Sequence, residues 1–119
     1  ENMFGDISSD LAAGLVGGLG FASAANIGDE YAVFEPTHGS APKYAGKYVV
    51  NPIAMLLTVK LMFDWLGEDE HAANLESAVA DVIAEGKVGT YDVKGRGNGD
   101  STLEVAEEVA RKVKALATA

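Results

Sequence analysis

The chain has no cysteine. That absence excludes disulfides, thiolate metal sites and thiol nucleophiles, and it is compatible with a reducing compartment. Histidine is scarce as well, with only His38 and His71; His71 has no ligating neighbour in sequence and reads as a surface residue. Basic residues are outnumbered, nine Lys and Arg against 18 Asp and Glu, for a net charge of -9. Such an acidic chain is a poor general binder of nucleic acid or anionic membranes, whose phosphates demand an excess of cations. Small ligands remain open. No apolar run approaches the ~18 residues of a membrane span, and the start lacks the basic and apolar pattern of a signal peptide. The expected setting is therefore cytoplasmic, with no membrane and no nucleic acid partner. At 119 residues and 48% hydrophobic, the chain suits one domain with an ordinary core. It opens on Glu1 straight into a patterned segment, which suggests the C-terminal portion of a longer polypeptide.

Gly5 to Val16 reads as a helix with Ile7, Leu11 and Leu15, beside the small Ala12 and Ala13, on its inner face. Asp6 and Asp10 stand at i and i+4 and so project from one side. Two readings fit: acidic residues solvating a first turn, or paired hard oxygen ligands for Mg²⁺ or Mn²⁺. The glycines Gly14, Gly17, Gly18 and Gly20 follow the helix rather than precede it, so they do not match a dinucleotide fingerprint, which requires a strand before and a helix after. Ser23–Ile27 and Tyr31–Phe34 fit two short strands with Gly28-Asp29 at the turn, a hairpin.

The densest stretch runs from Phe34 to Lys47 and closes with Asn51-Pro52. Two prolines, two glycines, a serine and a threonine mark a loop rich in polar contacts, held between a strand and a helix, where ligands are usually met. It is not a P-loop, because six residues separate Gly39 from Gly46-Lys47 and Tyr48 stands where a magnesium-binding hydroxyl belongs. Asn51-Pro52 is a helix start. Ile53 to Leu66 is apolar on nearly every side, which predicts burial in a core or at a subunit contact, with Gly67 ending it. Asp69–Glu85 has amphipathic spacing, Gly95 to Asp100 is a turn-rich link, and Ser101-Thr102-Leu103-Glu104 is a capping box opening a last helix lined by Ala106, Val109, Ala110, Val113 and Leu116.

Asn2-Met3-Phe4-Gly5-Asp6-Ile7-Ser8-Ser9-Asp10, then Ala25-Asn26-Ile27-Gly28-Asp29, then His38 to Lys47 with Asn51-Pro52, resemble the isocitrate/isopropylmalate dehydrogenase family in several long motifs in the same order. The resemblance implies an α/β fold: residues 1–119 would be a single partial domain, the C-terminal part of the family's large nucleotide-binding domain, helix-rich with a short β-hairpin. It also implies that Asp6 and Asp10 hold Mg²⁺ or Mn²⁺ against a hydroxy-acid substrate. Glu35, His38, Gly39, Ser40 and Ala41 match the loop that receives the cofactor, and Asn51 an adenine contact. The plainer readings are a structural loop histidine at His38 and a helix cap at Asn51. Asn51 can be both. The family's tyrosine and lysine acid/base pair, its substrate-binding arginines and a third aspartate would lie outside this chain, so no catalytic residue is assigned.

The resemblance further implies oxidation of a hydroxy acid by NADP or NAD followed by decarboxylation, in a homodimer. Lys43 and Tyr44, a cation and a hydroxyl donor, suit the 2′-phosphate of NADP; the plain alternative is that they solvate an exposed loop. Both resemble the NADP-using isocitrate enzymes, so isocitrate is the expected substrate, with 3-isopropylmalate or homoisocitrate as alternatives. Tyr91 matches a further phosphate contact, although the arginine expected four residues later is Gly95, with Arg96 displaced by one. Ser9 and Ser23 also depart from the family's common residues, beside rather than within its ligand positions. The competing reading from another class is a remnant that binds a nucleotide or associates with other chains without chemistry.

Overall fold

Residues 2–118 are described by a computed structural model. Helix α1 spans Asn2–Leu15, strands β1 (Ser23–Ile27) and β2 (Ala32–Pro36) form an antiparallel hairpin, and one 3-10 turn covers Pro42–Tyr44. Helices α2 (Ile53–Leu66), α3 (Asp69–Glu85), α4 (Tyr91–Lys94) and α5 (Thr102–Leu116) follow.

The core is built on α3, which lies between α2 and α5. Its amphipathic spacing buries Leu75, Ala78, Val79 and Val82 against Ile53 of α2 and Val105 and Val109 of α5. Each fully buried Val or Leu contributes roughly 1.5–3 kcal/mol relative to an exposed one. The near-continuous apolarity of α2 has a simple cause: one side packs on α3 while another packs on the hairpin, where the Phe34 and Trp65 rings lie 6.0 Å apart. Met55 and Leu66 stay exposed, at 50% and 55%. Gly67 stops the helix at φ 76°, a left-handed geometry that costs glycine little, and lets Glu68 donate to the Phe63 carbonyl at 2.9 Å. The capping box on α5 is present as expected, with the Ser101 hydroxyl accepting from the Glu104 N–H and the Glu104 carboxylate accepting from the Ser101 N–H.

Two expectations change. In the hairpin, Tyr31 lies just before β2, its carbonyl accepting the Gly28 N–H at 2.9 Å across the turn; the strand begins one residue later than expected and runs Ala32–Pro36, in register from Ile27 opposite Ala32 to Ser23 opposite Pro36. Proline is tolerated there because each strand of a two-stranded sheet has a free edge. In α1, which runs Asn2–Leu15 rather than Gly5 to Val16, the anticipated inner face is mostly exposed: Leu11 and Leu15 are 71% and 89% exposed, and of that face Ala13 alone is buried. A stripe of apolar residues marks a face that can be covered, not one covered by the elements described.

The loop between β2 and α2 is pinned at both ends. Thr37 donates its N–H to the Ala22 carbonyl at 3.0 Å, and Thr102 at the start of α5 donates its N–H to Tyr48 at 2.8 Å and its hydroxyl to the Val50 carbonyl.

Candidate functional site

Within that pinned loop, the His38 ring donates from Nδ1 to the Gly39 carbonyl at 2.8 Å. The proton is thereby held on Nδ1, which leaves Nε2 as the acceptor of the neutral ring. Ala41 adopts φ 46° and ψ 57°, a left-handed conformation that disfavours a residue with a Cβ by roughly 1–2 kcal/mol. From there Pro42 opens the 3-10 turn, closed by the Tyr44 N–H donating to the Ala41 carbonyl at 2.9 Å. The Lys47 ammonium sits 5.9 Å from the centre of the Tyr44 ring.

Asn51, only 8% exposed, uses both ends of its amide. Its Oδ1 accepts the Ile53 N–H at 3.0 Å, so it caps α2 from one position before Pro52, the residue at the helix boundary. Its Nδ2 donates to Asp92 Oδ2 at 3.0 Å, and the other oxygen of Asp92 accepts the hydroxyl of the buried Thr90. Gly20 lies against this bridge, where an added Cβ would come within 3.0 Å of Asp92 Oδ2 and 3.1 Å of Asn51 Cβ.

These segments enclose a cavity of ≈ 450 Å³ lined by Leu19, Gly20, His38, Gly39, Ser40, Ala41, Tyr44, Val50, Asn51, Tyr91 and Asp92. Seven residues singled out from sequence, His38 to Ala41 with Tyr44, Asn51 and Tyr91, therefore meet at one place. Lys43, exposed on the 3-10 turn, and Glu35 do not line it. Leu19, Gly20, Val50 and Asp92 were not anticipated. For Asp92 the only local signal is its place after Tyr91, because its partner is 41 positions away. The Tyr91 hydroxyl is pushed above its ordinary pKa, first by the phenol of Tyr44 and then by loss of hydration, with Arg96 acting in the opposite sense. The direction of that shift keeps the Tyr91 hydroxyl protonated at neutral pH, available as a donor.

A second cleft, of ≈ 480 Å³, is lined by Asp6, Ser9, Asn26, Glu35 and Thr37 and shares His38 and Gly39 with the first. Glu35 accepts from Asn26 Nδ2 at 3.2 Å. Asp6 faces this cleft, whereas Asp10, one turn on along α1, is not among its lining residues. Among the described residues no three His, Asp or Glu side chains group as a metal cage. Two exposed carboxylates on one side of a helix nevertheless fit a hard divalent cation that retains several waters, as Mg²⁺ does.

A family model described as isocitrate/isopropylmalate dehydrogenase matches residues 1–109. The chain is 54% identical over 114 residues to a 3-isopropylmalate/3-methylmalate dehydrogenase of Methanocaldococcus jannaschii, covering 96% of this chain and 33% of that protein. It is 51% identical over 112 residues to an NADP isocitrate dehydrogenase of Thermus thermophilus, covering 94% and 23%. The crystal structure of isocitrate dehydrogenase from Methylococcus capsulatus superposes with a TM-score of 0.89 at 44% identity, over 95% of this chain and 33% of that one. The chain thus spans a third or less of these relatives, and its helix-rich architecture with one hairpin is a part of their α/β fold. The chain belongs to the isocitrate/isopropylmalate dehydrogenase family.

Proposed function

We propose that this chain is the C-terminal, cofactor-receiving part of a metal-dependent decarboxylating dehydrogenase that oxidises isocitrate with NADP. NAD is the alternative cofactor, and 3-isopropylmalate and homoisocitrate are the alternative substrates. The observation that carries the reading is the convergence of His38 to Ala41, Tyr44, Asn51 and Tyr91 on one cavity of ≈ 450 Å³, a volume in the range of small-molecule sites. The names of the relatives support the reaction class and span more than one substrate.

In this reading the cavity takes the adenosine half of the dinucleotide. His38 offers Nε2 as an acceptor because Nδ1 is committed to Gly39, and Gly39, Ser40 and Ala41 are small enough for close backbone approach. Asn51, held by Ile53 and Asp92, presents a fixed amide edge to the base. Tyr44 and Tyr91 donate hydroxyls toward a ribose phosphate, and Lys43 on the adjoining turn adds a charge. Glu35, beside Asp6 in the second cleft, stands on the side where the nicotinamide ribose would meet the substrate. When bound, the dinucleotide supplies the hydride acceptor, and the Mg²⁺ or Mn²⁺ held by Asp6 and Asp10 supplies Lewis acidity at the substrate hydroxyl and to the charge left as carbon dioxide departs. No residue here is assigned the proton transfers. A cytoplasmic homodimer is the proposed assembly, supported by the exposed apolar face of α1, where Phe4 and Leu11 are 73% and 71% exposed, a face suited to a macromolecular contact.

The test is an assay of the intact protein with each of the three hydroxy acids, NADP or NAD, and Mn²⁺ present or chelated. Reduced cofactor and carbon dioxide formed in equal amounts, only with the cation, are expected. Dinucleotide binding with no turnover on any of them would leave a nucleotide-binding module without chemistry, and no binding would remove the reading altogether.

A further inference from the structure

The segment that carries Tyr91 and Asp92 is fastened by one carboxylate. Asp100 Oδ2 accepts from the Gly89 N–H at 2.8 Å and from the Lys94 ammonium at 2.8 Å. The Asp100 N–H returns a bond to the Gly89 carbonyl at 2.8 Å, and Lys94 Nζ also reaches the Lys87 carbonyl at 2.7 Å. The returning arm lies directly on the turn it closes: a Cβ on Gly99 would fall 2.3 Å from the Tyr91 nitrogen and 2.6 Å from its Cα. Helix α4 is four residues long and has no side-chain cap, so it lacks the length to hold its own geometry. Asp92 is also tied forward to Asn51 and Thr90; what holds the turn beneath Tyr91 and Asp92 from behind is this closure. Lys94 and Asp100 are about seven-tenths shielded from solvent, and the Lys94 ammonium, then the Gly89 N–H, hold the Asp100 carboxyl below the usual carboxylate range.

We propose that the Lys94–Asp100 clip is a positioning device for the Tyr91–Asp92 wall of the cavity, so that cofactor affinity depends on an ion pair that does not line the cavity. It rests on the reading that the cavity takes the dinucleotide. Asp100 sets the spacing between Gly89 and the returning arm; that spacing sets where Tyr91 stands opposite Tyr44, and whether Asp92 meets Asn51. Loss of the clip releases this wall and leaves His38 to Ala41, on the other side of the cavity, where they are.

The experiment is calorimetric titration of the intact protein with NADP and with NAD, together with steady-state kinetics, for the wild type, Asp100→Ala, Asp100→Asn and Lys94→Met. Asp100→Ala is expected to raise the NADP Kd and KM by at least about fivefold, with kcat and the hydroxy-acid KM within about twofold of wild type. Asp100→Asn, whose amide oxygen can still accept from Gly89, should fall between it and wild type. Lys94→Met, which keeps both Gly89 bonds, covers the case in which Asp100→Ala does not fold, and should raise the Kd at least about threefold. An unchanged Kd in both Lys94→Met and any folded Asp100 variant, with the wild type binding normally, overturns the clip alone. A wild type that binds neither dinucleotide overturns the cavity reading and the clip with it.

Discussion

Asn51→Asp is the most informative single change, because it preserves one half of a bifunctional side chain and inverts the other. The new carboxylate can still accept the Ile53 N–H, but it replaces an N–H donor that lies 3.0 Å from Asp92 Oδ2 with a second negative oxygen. At an effective dielectric of about 20, two unit charges at that distance repel by about 5 kcal/mol, and solvent reaching the exposed Asp92 brings this to about 2–3 kcal/mol. Repulsion raises the folded-state pKa of the introduced group above its unfolded value of ~3.9. Below about pH 4 the group is neutral in both states and, in the folded protein, donates a hydrogen bond, so the variant matches wild type. As pH rises, the unfolded state ionises first, and destabilisation grows to a plateau of about 2–3 kcal/mol once the pH passes the raised folded-state value. Urea titrations of wild type and variant from about pH 4.5 to 7.5 would show this rise, while Asn51→Ala, which loses the cap, should cost about 1 kcal/mol or more without the same dependence on pH. A pH-independent difference for Asn51→Asp would mean that Asn51 and Asp92 are not paired.

Three further outcomes are expected. Asp6→Asn and Asp10→Asn keep size and remove charge, so each should raise the Mn²⁺ concentration needed for half-maximal activity by about tenfold or more with little change in Tm; an unchanged metal titration would remove them as ligands. Leu75→Ala, at a side chain 7% exposed in the α2–α3 contact, should cost about 2–5 kcal/mol in denaturant titration. Glu104→Gln should narrow the acid dependence of stability. The Ser101 backbone N–H, then its hydroxyl, hold the Glu104 carboxyl below its ordinary 4.5; this contribution is present above that value and is lost as pH falls through the lower folded one, so equal acid unfolding of the two proteins would deny the capping box.

Local chemistry was the legible part. Asn51-Pro52 and Gly67 bracket α2, and the spacing of Leu75, Ala78, Val79 and Val82 before Gly86 brackets α3; in both, the expected and observed limits coincide. The capping box needs three intervening bonds' worth of sequence and no tertiary context. What could not be read depends on distance along the chain. Tyr31 fits the strand pattern, yet β2 begins only at Ala32, where the paired register with Ile27 starts. Leu11 and Leu15 are patterned for burial, but periodicity does not say whether a covering element is there. Asp92 reads as a loop acid until α2 brings Asn51 to it, and Leu19 and Gly20 read as a helix exit until Gly20 accepts the Ala54 N–H at 2.9 Å. The candidate-site motifs were visible through family resemblance. The bonds that hold them in place were not.

Receipt of a phosphorylated adenosine cofactor by this loop and Tyr91 is read most directly by the NADP-to-NAD ratio of kcat/KM for the intact protein before and after Lys43→Asp with Tyr44→Ile. The double change replaces a cation and a hydroxyl by an anion and an apolar side chain at the proposed 2′-phosphate position. A wild-type preference for NADP is expected, with a fall in kcat/KM for NADP of at least about tenfold, equivalent to about 1.4 kcal/mol, and NAD activity retained. A ratio that does not move would contradict it.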